Sequence, residues 1–103
     1  DSRVKSDVVD LVDGIDIVKK LRPVTFKFNK KSHFYSKHDD TTTRYGFIAD
    51  EVKPIAPQYT STGEGKVDGV AVSDFKTLSA TKMIPMLVKA IQELEARIAT
   101  LEG

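Results

Sequence analysis

Lys5, three residues after Ser2, is of a type that could take part in covalent chemistry. An ordinary lysine titrates near ~10.4 and is a poor base at neutral pH. Burial disfavours the ammonium and lowers that value, and the neutral amine then serves as a general base. Set beside a serine hydroxyl, it makes a minimal activated nucleophile. On residue type alone Lys5 reads as a solvated surface lysine, because lysines are mostly exposed. Ser2 and Lys5 form a Ser-x-x-Lys spacing, but the Ser-Asp-Asn and Lys-Thr-Gly companions of that pattern are missing. The nearest counterparts are Ser73-Asp74-Phe75 and Lys76-Thr77-Leu78. His33, His38, Asp39 and Asp40 share one polar stretch but match no metal-ligand spacing, so a solvated loop and no metal are expected. Without a cysteine, no thiolate ligand, disulfide or cysteine nucleophile is available. No glycine-rich phosphate loop is present, and no cofactor is expected.

Sixteen basic residues face fifteen acidic ones, for a net charge of +1. Such a balance creates no field that would draw the chain to nucleic acid or to a membrane surface. Lys30, Lys31, Lys37 and His38 lie among the aromatics Phe34 and Tyr35, yet acidic neighbours cancel them, so no nucleic-acid partner is expected. No apolar run approaches the ~20 residues of a membrane span. The 103 residues fit one domain. A chain this short buries only about 60–70% of its unfolded surface. Association with other chains is one way to supply the missing burial.

The elements around Lys5 can be read from periodicity. Residues 1–12 form a short strand or irregular lead-in. Asp13-Gly14 is a turn signal, and Ile15, Ile17, Val18 and Leu21 suit a short helix capped by Asp13 and ended by Pro23. Val24, Phe26 and Phe28 alternate with polar residues as in a half-buried strand. Lys30 to Thr43 is expected to be an exposed loop, followed by a strand over Arg44 to Ala49 and one helical turn over Asp50 to Ile55. Tyr45, Phe47 and Ile48 read as core. Gln58 to Thr62 and Lys66 to Val72 are expected to pair as a hairpin turning at Gly63-Glu64-Gly65.

From about Ser73 the chain is expected to be helical to Glu102, with Pro85 either kinking the helix or opening a new one. Ile84, Ile91 and Ile98 lie seven apart, and so do Leu87, Leu94 and Leu101. That is an a/d heptad seam, with Glu95 and Glu102 at e and Arg97 at g. The narrow, strictly seven-spaced stripe favours partner helices over a helix folded back on its own domain. Isoleucine at a with leucine at d favours two parallel strands in simple peptides. Residues 1–72 are thus expected to form a mixed α/β part and residues 73–103 a coiled-coil helix.

Four segments, in order, resemble the intramolecular chaperone auto-processing domain of phage tail fibres, tailspikes and endosialidases. Asp1-Ser2-Arg3-Val4-Lys5 is similar to the family's Ser-Asp-x-Arg-x-Lys signature without the leading serine. Asp13-Gly14-Ile15 through Leu21-Arg22-Pro23 resembles its helix followed by Leu-Arg-Pro. Tyr45-Gly46-Phe47-Ile48-Ala49-Asp50-Glu51-Val52 resembles its Tyr-Gly-x-Ile-Ala-Gln-Glu-Val, with Asp50 in place of glutamine. Ala90-Ile91-Gln92-Glu93-Leu94 resembles part of its final helix, although the stretch from Phe75 to Ile91 is longer than in the family pattern.

The resemblance implies an α+β fold: a small antiparallel β-sheet, short helices and a long C-terminal helix in a parallel trimeric coiled coil. It implies a homotrimer that registers an upstream β-structured fibre portion of the same polypeptide and then cuts itself off. Lys5 would be the catalytic base and the missing serine its partner. Asp1 would be the first residue after the cut, so the chain without that serine would be inactive as a peptidase. A serine attacking its own carbonyl would form a strained four-membered ring; another peptide geometry, a neighbouring chain or a positioned water are the open alternatives. Glu51 is a candidate auxiliary group, although on residue type alone it is a solvated helix-terminal glutamate. Arg3 is read either as orienting the cut segment or as an ordinary surface residue. The setting implied is the host cytoplasm during virion assembly, with the domain removed from the mature fibre. Two alternatives stand beside this: a purely structural trimerisation module without peptidase activity, and the same self-cleaving domain in a membrane-tethered transcription factor.

Overall fold

Short elements packed on one long helix follow from a sequence whose apolar residues come in brief runs until its last quarter. The structure, a computed structural model, describes residues 1–28, 41–67 and 69–103. In chain order the elements are helix α1 (Ile15–Val18), strands β1 (Val24–Phe26) and β2 (Arg44–Gly46), helix α2 (Ala49–Val52), strands β3 (Thr60–Val67) and β4 (Val70–Leu78), and helix α3 (Ala80–Glu102). Single 3-10 turns lie at Ser2–Val4 and Pro57–Tyr59. The fold is α+β, as expected. Its strands form two separate antiparallel pairs, β1 with β2 and β3 with β4, rather than one small sheet.

The lead-in is irregular: after the first 3-10 turn, residues 5–13 join no regular element. Helix α1 ends at Val18, earlier than expected: Leu21, read as part of the helix, lies beyond it in the segment that leads to Pro23. Phe26 pairs with Arg44 and Val24 with Gly46. Tyr45 points outward and is 83% exposed, which corrects its assignment to the core, while Phe47 packs against the core as expected.

The second hairpin departs from the sequence reading in two places. Val67 pairs with Val70, so the chain reverses after Val67 and not at Gly63-Glu64-Gly65. Gly69 takes φ +78°, a conformation that glycine adopts without steric cost. Gly63 and Gly65 instead flank a register shift inside the ladder, Gly63 opposite Phe75 and Gly65 opposite Val72. The returning strand also runs on to Leu78, so the segment from Ser73 expected to be helical is strand, and α3 begins at Ala80. The cause is pairing: Phe75, Lys76, Thr77 and Leu78 are held opposite Gly63, Thr62, Ser61 and Thr60. A ladder partner outweighs the modest helix propensity of such a stretch.

The core is small. Val52, Ala56, Tyr59, Met83 and Met86 are buried, with Ile17, Val18, Leu21, Phe47, Ile55 and Leu78 packed around them. It sits where α1, α2 and the turn at Pro57–Tyr59 meet the first half of α3. The two methionines are unbranched and adaptable, which suits a junction between irregular elements. The Ser79 N–H donates to the Tyr59 carbonyl at 2.9 Å and ties the root of α3 to this junction. Pro85 lies inside α3 without ending it. It removes one backbone donor, early in the helix. The loop expected over Lys30 to Thr43, with the histidine and basic-aromatic clusters within it, lies outside the described residues up to position 40; Thr41 and Thr42 are exposed.

Candidate functional site

Asp1 to Lys5 form one tight turn. The Asp1 carboxylate accepts from the Arg3 backbone N–H at 2.9 Å and from its guanidinium Nε and Nη2 at 3.0 and 2.5 Å. The Val4 N–H donates to the Asp1 carbonyl and the Lys5 N–H to the Ser2 carbonyl. Lys5 closes the turn in an extended conformation, φ −116° and ψ 144°. Its side chain is exposed, and among the described residues its ammonium has no hydrogen-bond or ion-pair partner. The burial that would make it a base is not supplied by this chain alone.

Glu51 is engaged elsewhere. Its two carboxylate oxygens accept from Arg22 Nε at 2.9 Å and Nη2 at 2.5 Å, a fork-on-fork pair. The hydrogen bond from Arg22 holds the Glu51 carboxyl below its usual range, with partial burial opposing and the guanidinium charge assisting. The same carboxylate raises Arg22 further, again chiefly through the hydrogen bond. Among the described residues no hydrogen bond or ion pair joins Glu51 to Lys5. The pair instead ties the Leu-Arg-Pro segment to α2.

Asp13 does not cap α1. Gly14 occupies the cap position and no side chain of its own caps the helix. The Asp13 carboxylate accepts from the Tyr59 hydroxyl at 2.8 Å and from Gln58 Nε2 at 2.9 Å. Burial first, and then the bond to Asp13, push the Tyr59 phenol up to about 12. The free N–H at the start of α1 is satisfied from α3: Ile15 N–H donates to Glu93 Oε1. Sequence reasoning missed both links. The signal for the second was present, because Glu93 continues the stripe Met83, Met86, Ala90 at helical spacing.

Helix α3 carries two apolar faces. Met83, Met86 and Ala90 are buried in the domain. The heptad residues lie about 100° around the helix from them, one residue step away. Ile84 is 57% exposed and Ile91 67%, and Leu87, Leu94, Ile98 and Leu101 are exposed too. Val88, an e position, widens this stripe towards the lead-in, where Leu11 lines a shallow groove with Ile84, Pro85 and Val88. The domain uses one face of the helix and leaves the seam open.

Among the described residues no group of three or more histidines, aspartates or glutamates is placed to hold a metal, and no helix is long and apolar enough to cross a membrane. Residues 1–61, more than half of the chain, match a family designated a peptidase and described as the chaperone of endosialidase. The chain belongs to the chaperone of endosialidase family. The match covers the segments that hold Asp1, Arg3, Lys5, Asp13, Arg22 and Glu51. No curated protein matches the chain. Within this endosialidase-chaperone domain, several motif residues outside the N-terminal turn make contacts that join its elements. Asp13 and Gly14 build the junction with Tyr59 and Glu93, and Arg22 and Glu51 join two motif segments 29 positions apart.

Proposed function

We propose that the chain is the C-terminal intramolecular chaperone of a phage tail fibre or tailspike. It brings three copies together through the seam from Ile84 to Leu101 and sets the register of the upstream β-structured portion. It is then released by hydrolysis of the peptide bond on the amino side of Asp1, with Lys5 as base and a serine immediately upstream as its partner. One water is consumed, the upstream segment gains a carboxylate, and Asp1 gains a free amine. The domain would act in the host cytoplasm during virion assembly and be absent from the mature fibre.

The observation that carries this reading is the open seam. Six large apolar side chains of α3 stay exposed while the adjacent face is buried, so the helix is held by its own domain and still offers a complete heptad stripe. Val88 at e broadens the stripe beyond a strict a/d pair, which favours more than two helices. Charge supports the parallel orientation. In a parallel, in-register coil, Arg97 at g faces Glu102 at e of a neighbouring copy; an antiparallel coil sets glutamates at e against one another. The role is physically reasonable. Intertwined fibres form contacts that are distant in sequence, and loop closure must precede the contacts that reward it. Joining three C-termini raises the local concentration of the chains. Removing the domain afterwards leaves a kinetically trapped product.

A second reading, a structural trimerisation module without chemistry, is favoured by Lys5 itself, exposed and unpartnered among the described residues. The precursor with a serine before Asp1 separates the two. Under the first reading it is cut, and changing that serine to alanine, or Lys5→Ala, leaves it uncut yet trimeric. Under the second it is never cut. Sedimentation equilibrium of the isolated chain tests assembly, and a monomer at all concentrations overturns both.

A further inference from the structure

The turn that begins at Asp1 combines two backbone hydrogen bonds with one side-chain pair. Arg3 grips the Asp1 carboxylate with its backbone N–H and with both ends of its guanidinium: Nε lies 3.0 Å from one oxygen and 3.2 Å from the other, and Nη2 lies 2.5 Å from the second. Both carboxylate oxygens are therefore occupied. The pair is also exposed, 86% at Arg3 and 49% at Asp1, so it contributes little to global stability. An arrangement this complete between two surface residues two positions apart needs a local reason.

Geometry supplies one. Four steps at the ~2.0 Å rise of a 3-10 turn span about 8 Å. The same four steps in an extended chain span about 13 Å. The turn thus draws the Lys5 backbone in towards Asp1, shortening the distance its flexible side chain must cover to the peptide bond before Asp1. The grip has a second effect. An unpaired Asp1 carboxylate four residues before Lys5 would attract its ammonium, whereas a carboxylate saturated by a guanidinium fork does not compete for it.

We propose that Arg3 is a positioning residue for self-cleavage, acting through Asp1 to fold the first five residues so that Lys5 is directed at the bond before Asp1. This rests on the self-cleavage reading above. Arg3 touches neither the serine nor the reacting carbonyl in this role. Its function is to hold the turn and to keep the carboxylate away from the lysine. Lysine could not replace it fully, since an ammonium is a point donor and lacks the planar fork.

The test uses the full precursor with its upstream fibre portion and a serine before Asp1, followed by the appearance of the cut product over time. Arg3→Ala is expected to slow cleavage about ten- to a hundredfold, the range of a misplaced catalytic group. Arg3→Lys should recover part of the rate. Asp1→Asn should slow cleavage too, and Asp1→Asn combined with Arg3→Ala should be no slower than Arg3→Ala, because the two act as one unit. Thermal unfolding of the released Arg3→Ala domain should match the unsubstituted domain. Cleavage of Arg3→Ala at the unsubstituted rate, with Lys5→Ala blocked, overturns this inference and leaves the lysine reading standing. Full additivity of the Asp1 and Arg3 substitutions also overturns it. Continued cleavage of Lys5→Ala overturns the dyad, and this inference with it.

Discussion

The Glu93 carboxylate reaches across Gly14 to accept a hydrogen bond from the Ile15 backbone N–H, 3.1 Å away and 78 positions apart in sequence. It caps a helix of only four residues with a side chain from another helix. A methyl group at Gly14 would collide with Glu93 Oε1 and approach Lys89 to 3.2 Å. The obstacle is the end of a flexible side chain, so Gly14→Ala should displace Glu93 rather than prevent folding. The cost should be that of the lost capping bond, about 1–2 kcal/mol. Glu93→Ala should cost a similar amount, and the double variant little more than either single one, as read by urea denaturation.

The two faces of α3 should separate stability from assembly. Met86 is fully buried, and Met86→Ala is expected to destabilise the isolated domain by about 2–5 kcal/mol. Ile91→Asp should leave the helical circular dichroism of the monomer intact while abolishing association in sedimentation equilibrium. An Ile91→Asp chain that still assembles would remove the seam from the interface.

Tyr59 should mark the alkaline limit of the junction. Its phenol is raised to about 12 from an ordinary value of 10.0. The folded state therefore keeps its proton over a range where the unfolded chain releases it. The stabilisation is complete below the unfolded value and is lost as pH rises from about 10 through about 12. Tyr59→Phe removes that dependence, and the difference between the two denaturation profiles isolates it from lysine titration.

Glu51 should report at the acid end with the opposite sign. Arg22 lowers its folded value, so the stabilisation is present above the unfolded range, ~4.3, and is lost as pH falls through the folded value. The pair is exposed, so the effect is small. Glu51→Gln should flatten the acid side of the stability profile. It should leave precursor cleavage at its unsubstituted rate, since Glu51 is committed to Arg22. A marked loss of cleavage would restore it as an auxiliary group.

Of the two glycines that flank the register shift, Gly65 should prove the less replaceable. A Cβ there would lie 2.5 Å from Phe75 Cγ, because the ring lies across the glycine. Gly63 has open space around the same position. Gly65→Ala should lower the melting temperature and disturb the Phe75 ring in aromatic NMR signals, whereas Gly63→Ala should do neither.

What the sequence made legible was what repeats. The heptads of α3 and the alternation through Phe26 obey short periods, and the structure places a helix and a strand there. Residues 73–78 were misread because Ser-Asp-Phe-Lys-Thr-Leu has no strong period, and its state is decided by a partner strand that local propensity does not see. Asp68-Gly69 is a stronger hairpin signal than Gly63-Glu64-Gly65, and weighing turn chemistry over glycine content would have found the reversal. Tyr45 was assigned inward by residue type, and a two-stranded pair leaves one face without a cover. Of the site, Asp1, Arg3 and Lys5 were visible as a motif. The Asp1–Arg3 grip, the Tyr59–Asp13 bond and the reach of Glu93 were not, because they depend on three-dimensional approach and not on spacing.

The division of α3 between a buried face and an open seam also constrains how the chain can change length. Each residue inserted after Glu93 turns everything beyond it by about 100°. One added residue would leave Met83, Met86, Ala90 and Glu93 seated in the domain while rotating Leu94, Ile98 and Leu101 out of phase with Ile84, Leu87 and Ile91. Three or four added residues come closer to a whole turn, and seven restore the pattern. The helix acts as a phase coupling between the folded body and the assembly: deletions and insertions beyond Glu93 should be tolerated in steps of seven and rejected in steps of one.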